Sequence, residues 1–373
     1  MVSLDNLTLI FSNLIAGTLM LIGGIITLLY ARKRQNRIIF LFSANWFFQA
    51  VLWFLIGIAH YTYSTFLMSI AYFPQCIGVL FVFIFIDLIE KERVHPVKIS
   101  VLVLIETLYL VFIFLPGSME VVPDYGIHIT GILRIFQIIF LLYYVLIYFN
   151  WSYKTWKRAP LDLKSLATQL LIGSIIFSFV SVAMYTFGTF IRGFNALGFI
   201  FHSIGAFITV LVIRKDPKII HILPFKAYRL LVFETRSGIG LFSHDWAETK
   251  DLDENFFSMT FQAVGNVLNE LLDMGNVKEI HLDKAILLVQ HDKDYPIASV
   301  IIATKSSKSL RQSLKTFHDQ FITQFSAHFD AFHNINKFKE AQKIVDRVFG
   351  HIPYYKTQKI RKLQITLPPK KEK

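Results

Sequence analysis

The sequence predicts a membrane all-α seven-helix bundle followed by an α+β domain whose five-stranded antiparallel sheet and helices run in the order ββαβββαα. Three observations carry that expectation. Of the 373 residues, 54% are hydrophobic and only 17% charged, well away from soluble averages. The charges are scarce before about Ile213 and ordinary afterwards. Past the RKDPK stretch at Arg214 to Lys218, continuous apolar runs give way to alternation of period two and period 3.6. The chain therefore divides into a membrane region at 1–213, a linker at 214–225, a globular domain at 226–350 and a basic tail at 351–373.

Each apolar run is long enough, at 1.5 Å per helical residue, to cross about 30 Å of hydrocarbon. The spans run roughly from Leu7 to Tyr30, Ile38 to Ala59, Thr65 to Ile89, Ile99 to Pro116, Ile132 to Phe149, Leu166 to Phe190 and Ala196 to Ile213. Asp5 is the only charge ahead of the first, so that run is expected to stay as a helix and not to be cleaved as a leader.

Lysine and arginine in short connections are retained in the cytoplasm. The first connection carries Arg32, Lys33, Arg34 and Arg37, the third Lys91, Arg93 and Lys98, and the fifth Lys154, Lys157, Arg158 and Lys164. The second and fourth carry none and the sixth only Arg192. The expected protein is a multi-pass one of the cell membrane, with its N-terminus outside and its C-terminus cytoplasmic. The formal charge of +12 does not point to nucleic acid, because Ile219 to Asp346 holds 14 basic and 16 acidic residues. The surplus lies in the inner connections and the tail, where each basic residue gains about 1 kcal/mol from an anionic inner leaflet.

Polar side chains within the spans are candidates for function, since an unpaired polar group in hydrocarbon is costly. The candidates for an intramembrane ligand or polar site are Asn45, Gln75, Glu106, Arg134, Gln137 and His202. Arg134, at the outer start of its helix, reads as snorkelling to the headgroups. His202 reads as an interhelical hydrogen bond. Glu106 stays open between a neutral helix contact and a ligand or proton site. The seventh span has no lysine, so a retinal Schiff base cannot form there. Cys76 is the only cysteine, which leaves no intrachain disulfide and no cysteine-based metal site. No cofactor is expected.

In the globular part, RLLVFE (Arg229 to Glu234) and GIGLFSH (Gly238 to His244) read as two strands joined by a tight turn. The S-G-x-G spacing of Ser237, Gly238 and Gly240 imitates a phosphate-binding loop. Such a loop must lead from strand into helix, whereas these glycines join strand to strand: Gly238 supplies a positive φ and Gly240 gives slack for twist. A long amphipathic helix follows, with Phe257, Phe261, Val264, Leu268 and Leu271 on one face and Asp251 and Glu254 at capping-box spacing. Val277 to Asp283, Ala285 to His291 and Pro296 to Lys305 read as three more strands. Leu310, Leu314, Phe317, Phe321, Phe325, Phe329 and Phe332 form a stripe of helical period that reads as core, while His318, His328 and His333 read as exposed. A short helix from Asn336 to Phe349 precedes the tail.

This element order resembles the longin fold, and the Ser237 to Ser243 phrase S-G-x-G-L-F-S is similar to the hairpin of longin and roadblock domains. The membrane half resembles the seven-helix sensor regions of prokaryotic signalling proteins. The resemblance implies a non-enzymatic receptor or adaptor that recruits a small GTPase, a longin- or roadblock-type protein or another trafficking partner, and pairs edge to edge as a homodimer. A PAS-type sensor domain ranks second, because it places several short helices where this chain has one long one. A transporter or channel with a regulatory domain, and a plain membrane anchor, are the other readings. The residues after the spans are too few for a histidine kinase, and no Asp-x-Gly-x-Gly box occurs.

Overall fold

The computed structural model describes residues 3–34, 37–123, 125–188, 191, 193–222, 225–247, 278–283, 285–329 and 335–355. Seven spans long and apolar enough to cross a membrane occur among them, close to the expected positions. They are built from α1 (Leu4–Arg34), α2 (Arg37–Thr62), α3 (Thr65–Lys91), α4 (Pro96–Ile113), α5 (Gly131–Arg158), α6 (Leu161–Ile175) with α7 (Ser181–Phe187), and α8 (Phe194–Lys215). One π turn, Ile176–Val180, joins α6 to α7 within the sixth span. Helix starts follow local chemistry. Ser64 accepts a hydrogen bond from Leu67 N at 3.3 Å, and His95 caps α4 with Pro96 at its first position.

Lipid solvates apolar side chains as well as a neighbouring helix does, so close approach and hydrogen bonds must hold such helices together. Small residues provide the approach. A Cβ on Gly205 of α8 would collide with the backbone at Phe177 and Gly173, so these two helices cross nearly backbone to backbone. Large apolar side chains such as Leu104, Ile135 and Leu146 point outward, where hydrocarbon solvates them.

The fourth connection departs from expectation. It reads as a loop in the sequence but forms a hairpin, β1 (Met119–Val122) and β2 (Gly126–Ile129), paired from Met119 with Ile129 to Val122 with Gly126. Accordingly α4 stops at Ile113, short of Pro116. The hairpin closes one end of the bundle: Ile127 N donates to His60 Nδ1 at 3.3 Å, and Asn195 donates to Tyr125 Oη at 2.9 Å. Gly126, at φ 105°, lies directly against His60 and Asn6, leaving no room for a side chain.

At the opposite end, a 3₁₀ turn (Pro217–His221) leads into the second domain. Its strands are β3 (Ala227–Glu234), β4 (Gly240–Asp245), β5 (Glu279–His281), β6 (Ile286–His291) and β7 (Ile297–Ala303). They form one antiparallel sheet in the order β4-β3-β7-β6-β5. The amphipathic stretch expected between β4 and β5, with Phe257 to Leu271, lies outside the described residues. On one face of the sheet packs α9 (Lys308–Phe325), whose Leu310, Leu314, Phe317, Phe321 and Phe325 are all buried, as is Phe329 beyond it. A 3₁₀ turn (Ile335–Ala341) and α10 (Gln342–Val348) complete this layer. The domain extends past its expected end, because Ile352 is buried and Tyr355 N donates to Trp246 O at 2.6 Å.

Two histidines correct the sequence reading. His318 is 1% exposed, because α9 turns it toward the sheet, where Ser299 Oγ of β7 lies 2.9 Å from its Nδ1. His328 is half-buried, and His333 lies outside the described residues.

Candidate functional site

The hairpin turn is settled by its bonds. Gly238 has φ 71°, a value that favours glycine. Glu234 at the end of β3 accepts from Arg236 N at 3.0 Å, from Ser237 N at 2.7 Å and from the Ser237 hydroxyl. The turn amides are thus already taken by a carboxylate of the same chain, and Gly240 opens β4 opposite Phe233 beside a bulge. Strand leads to strand, as expected.

Within the bundle, the polar candidates do not form one group. Asn45 and Gln49 of α2 face Gly78 of α3, where a Cβ would stand 3.2 Å from Asn45 Oδ1 and 3.3 Å from Gln49 Nε2. His202 of α8 lies elsewhere, its ring 4.1 Å from that of Phe177 and 5.7 Å from that of Trp53. It bonds the backbone of Phe177. The same backbone carbonyl also accepts from the Ser181 hydroxyl.

Gln137 does meet two tyrosines that the sequence reading passed over, Tyr72 and Tyr109. Glu106 and Tyr109 lie three residues apart on α4 and so share a face, and both are buried. From α3, the Cys76 thiol comes close enough to feel the charge of Glu106, and the Tyr72 ring stands edge-on to Tyr109 with centroids 5.5 Å apart. From α5, the amide of Gln137 stands against the Tyr72 and Tyr109 hydroxyls; at Tyr109 the approach falls short of hydrogen-bonding geometry and leaves that hydroxyl unpaired. Phe140 stacks on Tyr109 at 5.4 Å. Glu106 Oε1 and Gln75 Oε1 also lack a hydrogen-bond partner. Arg134 is half-buried at the start of α5, and among the described residues no ion pair joins it to Glu106. The helical spacings Tyr72 to Cys76 and Glu106 to Tyr109 were the signal available in the sequence.

The domain end of the bundle is stitched by charge. Asp87 accepts from His95 N at 2.8 Å and from Lys98 Nζ at 2.9 Å, and Lys154 pairs with Glu90 at 3.1 Å. Lys164 donates to Trp156 O and lies 4.1 Å from the centre of that ring. Arg32, Lys33, Lys157 and Arg158 are exposed; the side chains of Arg34 and Arg37 are outside the described set. The α3–α4 connection also meets the second domain. Glu92 accepts from Lys308 N, the first residue of α9, at 2.7 Å. Arg158 lies near enough to Tyr355 to oppose the upward push that burial gives its hydroxyl, which settles at about 12.

A Ser–His–Asp series occurs in the second domain: Ser299, His318 and Asp292, whose Oδ2 lies 3.5 Å from His318 Nε2. That separation is an ion-pair distance and not a hydrogen bond. Ser299 is 0% exposed, so in this arrangement its hydroxyl cross-links α9 to the sheet and meets no solvent. Among the described residues, no group of three or more metal-ligating side chains occurs. No family model, curated protein sequence or solved structure matches the chain.

Proposed function

We propose that this chain is a non-enzymatic membrane receptor or adaptor whose second domain, longin-like in build, recruits a small GTPase or a longin- or roadblock-type partner at the cytoplasmic surface. The observation that carries this reading is the contact of the sheet domain with the basic α3–α4 connection, where Glu92 accepts from Lys308 N at the start of α9. Basic connections favour the cytoplasmic side, so the end that bears the domain is the end that faces the cytosol. The sheet, with β3 beside β7 at its centre and α9 on one face, supports a docking module better than a catalytic one. Its glycine turn is closed by Glu234, and Ser299 and His318 of the Ser–His–Asp series are buried. A fold does not by itself fix a function, so the test is binding. Detergent-solubilised full-length protein, immobilised and presented with small GTPases in GTP- and GDP-loaded forms, is expected to retain one form in preference. Equal or absent retention across both forms would remove the reading.

A further inference from the structure

The seat of the β1–β2 hairpin sets two buried acceptors around a single N–H. Ile127 N of β2 donates to His60 Nδ1 at 3.3 Å, so that nitrogen carries no proton and the ring is neutral, an imidazole having one accepting nitrogen and an imidazolium none. His60 lies in the last turn of α2, at the mouth of the span and not in its middle. Beside it on α1 stands Asn6, 0% exposed. The Asn6 Nδ2 donates to His60 O at 3.3 Å and to Tyr63 Oη at 2.9 Å, while its Oδ1 lacks a hydrogen-bond partner. Buried acceptors are ordinarily paired, and an exception calls for a physical reason. Gly126 brings the two acceptors together: a Cβ there would collide with His60 Nδ1 and stand 3.0 Å from Asn6 Oδ1, so both crowd one point beside the hairpin. The other titratable groups belong to the elements around that point. His128 lies two residues along β2 from Gly126, within electrostatic reach of His60, and Glu120 stands opposite it in the register. Tyr63 follows α2, and Asp5 precedes Asn6 on α1.

We propose that this seat is a proton-operated latch on the hairpin. A proton taken from solvent onto His60 Nδ1 turns that nitrogen from acceptor into donor; it then bonds Asn6 Oδ1, and the Ile127 N–H loses its acceptor. Histidine is the side chain whose charge changes most readily near neutral pH, and its protonation is a general means of reversing a packed contact. Tyr125 keeps its bond to Asn195, so acid frees the β2 side of the hairpin and leaves the turn attached. The latch is independent of which partner the sheet domain recruits, so a failed GTPase experiment leaves it standing, and its own failure leaves the recruitment reading standing.

The test is hydrogen exchange of the full-length protein in neutral detergent, read by mass spectrometry on peptides that span β2 and corrected at each pH for the intrinsic exchange rate. Between about pH 7.5 and about pH 4.5, protection across β2 is expected to fall by about threefold or more, while amides in the middle of α2 keep theirs. His60→Gln retains a side-chain acceptor and cannot titrate in this range, so it should hold the protection constant, whereas His128→Gln should retain the fall. Should His60→Gln fail to fold, Asn6→Leu removes the oxygen that receives the protonated nitrogen and should move the fall to lower pH. Constant protection in the wild type, an undiminished fall in His60→Gln, a lost fall in His128→Gln or an unmoved one in Asn6→Leu overturns the proposal.

Discussion

His318 shows how one residue changes meaning once its neighbours are known. Its ring is held between Ser299 on β7 and Asp292 in the β6–β7 connection, and burial lowers its proton affinity more than Asp292 raises it. His244 and His351 in the same domain are shifted down for the same first cause. A histidine whose folded value lies below the unfolded value of about 6.5 contributes its full stability above that pH. As the pH falls below it, the unfolded chain takes up protons that the folded one refuses, and stability declines. The unfolding temperature is therefore expected to hold steady above about pH 7 and to drop on acidification below about pH 6. His318→Leu should flatten part of that acid slope, with His244 and His351 supplying the remainder. At neutral pH it should cost about 1–3 kcal/mol, because the Ser299 hydroxyl loses its partner. An unchanged slope would mean that His318 titrates as if exposed. The sequence could not disclose this, since the period of α9 places His318 beside Phe317 without saying how wide a strip the sheet covers.

At the scale of elements, the turn between α3 and α4 joins the two domains. Glu92 follows the last residue of α3 in a left-handed conformation, φ 54° and ψ 17°, which a non-glycine residue adopts at a cost. The conformation places its carboxylate on the exposed first amide of α9, where the helix dipole favours a negative charge. Ser307 caps the same helix end from within its own domain, accepting from Leu310 N at 2.9 Å. Glu92→Ala removes the cross-domain contact and leaves the local cap. It is expected to speed hydrogen exchange at the first-turn amides of α9 by about 2–5-fold, the equivalent of about 0.5–1 kcal/mol for a charge at a helix terminus, with little change in the middle of the helix. Equal exchange in both proteins would show that the two domains meet too loosely for the bond to matter. The stripe of α9 and all five strands were legible in the sequence because periods of 3.6 and 2 mark them directly. The β1–β2 hairpin was not, because Glu120, Pro123 and Asp124 give it the composition of a loop. Its pairing is supported by His60 and Asn195, which meet it only in three dimensions.

For the whole molecule, the spans were legible because the bilayer sets both their length and their composition, and the basic connections give an orientation that geometry alone does not. The polar contacts within the bundle were only half legible: Glu106 and Gln137 stand out as costly residues, but a sequence does not say which helices adjoin, and Asn45 and His202 fall in other places. Alternation of sides follows from the fold, since the hairpin end and the domain end are joined by an odd number of crossings. Whichever side holds the exposed Glu120 of β1, the exposed Lys293 of the β6–β7 connection must hold the other. The proposed reading, with the basic connections inside, puts Glu120 outside. Cys76 is 5% exposed, so it contributes little background to thiol labelling, and single substitutions Glu120→Cys and Lys293→Cys serve as reporters. In intact cells a membrane-impermeant maleimide should modify the first and spare the second, and permeabilisation should expose both. The reverse pattern would place the sheet domain outside and end the proposal of a cytosolic partner, while the seven crossings would stand. Labelling of both without permeabilisation would contradict the crossings themselves.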